Sequence, residues 1–150
     1  MKVLFLCTAN ICRSPLAEHY MRQLAEKIAA VRIECASAGI LDYSGRPADP
    51  VVVRMARERG LDLSRHASRL THAAELAATD RIVCMERKHR AWIRENHPDH
   101  VAKAVLLRPP VDGEQDVPDP TGGPESEYRS ALDLLYRGVE SLALSYKYPR

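Results

Sequence analysis

At 150 residues the chain suits one domain with a core of ordinary size. A hydrophobic content of 45% with 28% charged residues excludes a disordered chain, and a net charge of +2 without a basic, aromatic-threaded run argues against nucleic acid. The apolar run Val3–Cys7 is too short for a secretory leader, and no later stretch reaches membrane-span length. A cytoplasmic protein with reduced thiols and no membrane insertion is therefore expected.

In chain order, Val3–Leu6 reads as a buried strand, and Pro15–Ala29 as a helix with Leu16, Tyr20, Leu24 and Ile28 at helical spacing. Arg32–Ala36 is the second strand, followed by a helix over Val51–Arg59 that Gly60 stops. A short helix after Thr71 leads to the third strand, Arg81–Met85, and another helix covers Glu86–Glu95 before Pro98. Ala104–Leu107 is the fourth strand, and a last helix over Glu125–Ser145 carries the stripe Leu132, Leu135, Val139 and Leu142. Continuously apolar strands alternating with helices imply one α/β domain over 1–150. It would hold a four-stranded parallel sheet with helices on both faces. Such sheets bind ligands beyond their carboxyl ends, here after Leu6, Ala36, Met85 and Leu107.

The first of those ends reads Cys7-Thr8-Ala9-Asn10-Ile11-Cys12-Arg13-Ser14-Pro15. Ser14 suits an N-cap and Pro15 the first helical position, so the loop opens a helix whose N–H groups and dipole attract an anion. Backbone N–H groups wrapped inward form a nest for a tetrahedral oxyanion, and the same field favours a thiolate at Cys7. Arg13 adds a planar fork that grips two phosphate oxygens at once. Together these describe a phosphate loop between the first strand and first helix, built for phosphoryl transfer to cysteine. A second Cys-x5-Arg, from Cys84 to Arg90, has bulky residues, a phosphate-repelling Glu86 and no helix start, so Cys84 reads as a core residue. His97 and His100 beside Pro98 read as surface loop rather than metal ligands, and the loop's own positive field requires no metal or cofactor.

A leaving phenolate or alkoxide needs a proton. Asp119, held between Pro118 and Pro120, is one candidate donor; Asp112, Glu114 and Asp116 on the same loop compete, and composition does not choose among them.

The Cys7–Glu18 segment resembles the phosphate loop of low-molecular-weight protein tyrosine phosphatases. Ser37–Gly39, Gly45–Pro50, His66–Leu70 and Val117–Pro120 match later signatures of that family in order, over essentially the whole chain. The resemblance implies that Cys7 attacks phosphorus, Arg13 holds the phosphoryl oxygens, and Asp119 serves as general acid and then base. It assigns phosphate binding to the loop from Thr8 to Ser14. Ser14 eases departure of the Cys7 sulfur, while Asn10, Ser37 and His66 hold the loop in shape. Leu41 and Tyr43 fall where a substrate wall is expected, and Cys12 is a candidate disulfide partner protecting Cys7. Met85–His89 and the short stretch between Gly39 and Gly45 look most like a bacterial branch acting on autophosphorylating tyrosine kinases of capsule and exopolysaccharide export.

Thr121-Gly-Gly123 stands where many relatives carry tyrosines, which implies a more open cleft. Glu86 replaces an aspartate that in some relatives contacts the loop, leaving that contact open. Arsenate reductases of similar fold rely on further nearby cysteines, which Cys84 lacks, and arginine phosphatases typically carry threonine where Ile11 stands. A non-enzymatic phosphate-binding module would be expected to have lost Cys7, Arg13 or Asp119, and all three are present.

Overall fold

The computed structural model describes residues 1–28, 31–108 and 115–148. Strands β1 (Lys2–Cys7), β2 (Glu34–Gly39), β3 (Arg81–Cys84) and β4 (Ala104–Leu106) form one sheet in the order β2-β1-β3-β4. Every pairing is parallel. The helices are α1 (Arg13–Ala25), α2 (Pro50–Arg57), α3 (Ala73–Ala78), α4 (Arg87–Asn96) and α5 (Glu125–Lys147), with a 3-10 turn over Pro98–Lys103.

The two-residue period of β1 builds two cores at once. Val3, Phe5 and Cys7 enter a cluster with Leu16 and Met21 of α1, Val52 of α2 and Leu135 of α5. Leu4 and Leu6 enter the opposite cluster with Leu76 of α3 and Ile93 of α4. Burying one such side chain contributes about 1.5–3 kcal/mol, so a one-residue slip of β1 would forfeit both faces. This alternation puts Cys7 on the α1 side of the sheet and Cys84 on the other. Burial pushes the Cys84 thiol up to about 12, which makes it inert, as its sequence context suggested.

Two elements sit differently from expectation. β2 runs from Glu34 to Gly39 rather than over Arg32–Ala36, with Gly39 opposite Cys7. Ser37, Ala38 and Gly39 lack the bulk of an apolar strand because the phosphate loop folds against them: a Cβ on Gly39 would lie 2.8 Å from the Thr8 carbonyl oxygen. α1 begins at Arg13 and ends at Ala25, whereas the expected helix ran from Pro15 to Ala29, itself outside the described residues. Its N-cap is Cys12, which makes no side-chain cap, so Ser14 is not the cap and its hydroxyl is free for other work.

Candidate active site

The loop from Cys7 to Arg13 turns around Asn10, whose φ of 59° is the one left-handed non-glycine conformation among the described residues. Asparagine tolerates that region through local polar bonding. Its side chain is fully buried and fully used. Nδ2 donates to Ser14 Oγ at 2.8 Å and to Ser37 Oγ at 2.9 Å, while Oδ1 accepts from Arg69 N at 3.1 Å. The Asn10 carbonyl accepts from His66 Nε2 at 2.7 Å, and Ser37 Oγ donates onward to Glu18 at 2.5 Å. The expected supports Asn10, Ser14, Ser37 and His66 therefore form one network. Burial lowers the His66 pKa, keeping the ring neutral at pH 7.

Cys7 is buried, with its Sγ 3.0 Å from Ser14 Oγ and 3.3 Å from Asn10 N. Both groups can donate to a thiolate, so the sulfur is received on two sides. The uncapped start of α1 leaves its first-turn N–H groups for an anion.

Arg13, only 1% exposed, is held by a carbonyl and two carboxylates. Nη1 donates to Val117 O at 2.8 Å and lies 3.0 Å from Glu86 Oε2; Nη2 lies 3.7 Å from Asp119 Oδ2. Glu86, whose contact with the loop the sequence left open, makes it here: its carboxylate offsets the buried guanidinium and aims it. Arg13 Nε is buried without a partner among the described residues, a donor that a bound oxyanion can take.

Asp119 lies across the cleft from Cys7. Its Oδ1 accepts from Thr121 N at 3.0 Å and Thr121 Oγ1 at 2.7 Å. Burial opposes ionisation, but the Thr121 bonds and the Arg13 and Lys88 charges outweigh it, leaving the pKa below the usual value. Its competitor Asp116 is tied to Arg87, accepting from the backbone N at 2.7 Å. Asp112 and Glu114 lie outside the described residues.

The cleft between them is about 300 Å³. Cys7, Thr8, Ala9, Ile11, Cys12 and Arg13 form its floor, and Tyr43, Arg46, Asp119 and Thr121 its rim. Asn10 and Ser14 lie behind the loop as supports. Of the two expected wall residues, Tyr43 reaches the cleft with Arg46 stacked 4.9 Å from its ring centroid. Leu41 is not among the lining residues: it is 46% exposed, and its backbone N–H donates to Thr8 O at 3.0 Å. Burial and the nearby Cys7, Asp49 and Asp119 charges push the Cys12 thiol well up, so it stays protonated and does not compete as a nucleophile.

Several site residues carried no assigned role in the sequence reading. Asp49 N donates to Ile11 O at 2.9 Å, its Oδ1 caps α2, and its Oδ2 accepts from Tyr128 OH at 2.6 Å. The Asp-Pro pair at 49–50 signals that cap. Thr121 two residues after Asp119 is the spacing of an Asx turn, a legible signal for the bond that orients the acid. Arg46 and His89 had none beyond membership of a motif.

The sequence matches the family described as low molecular weight phosphotyrosine protein phosphatase over residues 2–148. It is 31% identical over 140 residues to a probable low molecular weight protein-tyrosine-phosphatase, EpsP, of Ralstonia nicotianae, covering 93% of this chain and 91% of that protein. It is 32% identical over 143 residues to a protein-arginine-phosphatase of Geobacillus stearothermophilus, covering 95% and 93% respectively. The Vibrio vulnificus Wzb structure with benzylphosphonate superposes with a TM-score of 0.86 at 28% identity, covering 96% of this chain and 97% of that one. A cysteine beneath an oxyanion nest, a buried arginine and a facing carboxylate thus accompany a match of nearly full length, and the chain belongs to the low-molecular-weight phosphotyrosine protein phosphatase family.

Proposed function

We propose that the protein hydrolyses phosphotyrosine in proteins through a phosphocysteine at Cys7. The observation carrying this reading is Cys7 Sγ held by Ser14 Oγ and Asn10 N in a cleft that also holds Arg13 and Asp119. The Cys7 thiolate forms a bond to phosphorus as the bond to the tyrosine oxygen breaks, and the departing phenolate takes the proton of Asp119. Arg13 and the loop N–H groups hold the equatorial oxygens, where charge is spread in the transition state. Asp119, now a carboxylate, takes a proton from a water that bonds to phosphorus as the P–S bond breaks. Ser14 and Asn10 N–H then receive the thiolate. A dianionic phosphoryl group beside Arg13 and Asp119 raises the acid's pKa on binding, which offsets its low value in the free protein.

Ile11 offers an apolar side chain and Tyr43 an aromatic ring at the cleft, and both favour an aryl leaving group. A phosphotyrosine-bearing kinase of a bacterial exopolysaccharide system fits the bacterial-branch resemblance, and the cytoplasm fits such a partner. The likeness to a protein-arginine-phosphatase favours a second reading, phosphoarginine hydrolysis at the same cysteine. Turnover of matched phosphotyrosine and phosphoarginine peptides in the presence of a chelator separates the two. The proposal expects faster release from phosphotyrosine, none from Cys7→Ser, and about 10²–10⁴-fold less from Asp119→Asn. A preference for phosphoarginine would replace the substrate; an active Cys7→Ser variant would end the mechanism.

A further inference from the structure

His89 stands on the first turn of α4, is fully buried, and reaches the phosphate loop from the sheet's far side. Its Nδ1 lies 3.0 Å from Glu86 N, and a backbone N–H only donates, so Nδ1 is the unprotonated nitrogen. The ring proton then sits on Nε2, 3.0 Å from Thr8 Oγ1. A doubly protonated ring would set Nδ1–H against Glu86 N–H, so the geometry itself demands the neutral form. Thr8 Oγ1 consequently accepts from His89, and its own proton leaves in another direction. No other side chain or carbonyl among the described residues bonds Thr8 Oγ1, and Thr8 lines the cleft beside Cys7.

We propose that the Thr8 hydroxyl donates to a phosphoryl oxygen of the bound substrate, with His89 as the positioning residue that fixes its direction. The inference rests on the phosphatase reading of the Cys7 loop. A free hydroxyl has three orientations open to its proton; one that already accepts from Nε2–H has two, and a phosphoryl anion in the cleft draws the proton toward itself. The loop thereby gains a side-chain donor beyond its backbone nest and Arg13, and one that recognises the phosphoryl group rather than the leaving group.

Competitive inhibition by inorganic phosphate measures that donor directly. Thr8→Val, nearly isosteric, is expected to weaken phosphate about 10–100-fold, the range of a hydrogen bond to a charged group, and Thr8→Ser to stay within about threefold of wild type. His89→Leu is expected to weaken phosphate in the wild-type background and to add nothing in the Thr8→Val background. His89→Gln, which keeps a donor toward Thr8, restores binding. Should His89→Leu fail to fold, ¹⁵N-edited NMR of the wild type decides: the account requires one ring proton on His89 Nε2, with a resonance that moves when phosphate is added. Wild-type phosphate affinity in Thr8→Val alongside a dead Cys7→Ser overturns this inference and leaves the phosphatase reading intact. Turnover by Cys7→Ser overturns the reading beneath it.

Discussion

Replacing Asn10 tests whether the phosphate loop is held in shape by one side chain. Asn10→Ala removes three hydrogen bonds, to Ser14, Ser37 and the Arg69 backbone N–H, and leaves an alanine at a φ of 59°. Each bond is worth about 0.5–1.5 kcal/mol net, and unsatisfied buried partners raise the loss. The left-handed conformation costs an ordinary residue about 1–2 kcal/mol more. A total near 4 kcal/mol is expected, or a fall in Tm of about 12 °C for a domain of this size. Asn10→Gly loses the same bonds without the steric penalty, so it should be about 1 kcal/mol more stable than Asn10→Ala. Urea denaturation of both variants, with aryl phosphate kinetics alongside, separates the two contributions. Because Asn10 also presents its N–H to Cys7 Sγ, turnover should fall further than affinity for inorganic phosphate. Variants as stable as wild type would refute the claim that this side chain holds the loop.

Three other outcomes follow from the same geometry. Thr121→Ala removes one of the donors that favour the Asp119 carboxylate, so the Asp119 pKa rises; carboxyl-resolved NMR titration of the free protein reads the shift, and an unchanged value contradicts the pairing. Burial, with the Arg13 and Lys88 charges, lowers the His89 pKa to about 3. The unfolded chain thus binds a proton that the folded one refuses between about pH 6.5 and 3, so stability is lost as the pH is lowered through that window, by about 1.4 kcal/mol per unit. Denaturation midpoints from pH 6 to 4 should show a shallower slope in His89→Gln. If Cys12 forms the protective disulfide with Cys7, wild-type activity lost to hydrogen peroxide returns with dithiothreitol, and in Cys12→Ser it does not. Equal recovery in both would discard that role.

The architecture was legible because it rests on periodicity. Runs such as Val3–Leu6 and Ile82–Cys84 are apolar on both faces, which only a sheet covered on both sides accommodates. What escaped was set by close approach rather than hydrophobicity. Ser37–Gly39 lie in β2 because small residues admit the loop, so the apolar pattern pointed too early. Ser14 follows the rule for a helix cap, yet its hydroxyl bonds the nucleophile instead. That Cys7 and Arg13 would share one loop was readable from their local spacing, and Asp119 was singled out by the family resemblance; the structure brings the three to one cleft. The contacts of Glu86 and His89 were not readable, since their partners Arg13 and Thr8 lie 73 and 81 residues away in sequence, and only the β1–β3 pairing brings them together. Leu41 lies next to the loop through its backbone N–H but is not among the residues lining the cleft, a distinction that sequence position does not make.

The central claim is the bond between phosphorus and Cys7. Rapid denaturing quench of the wild-type protein during turnover of a phosphotyrosine peptide traps the covalent intermediate, and peptide mapping then locates the phosphate. The account predicts an S-linked phosphate on Cys7, formed as tyrosine is released and absent from Cys7→Ser. Phosphate found on another residue, or tyrosine released by Cys7→Ser, would contradict it.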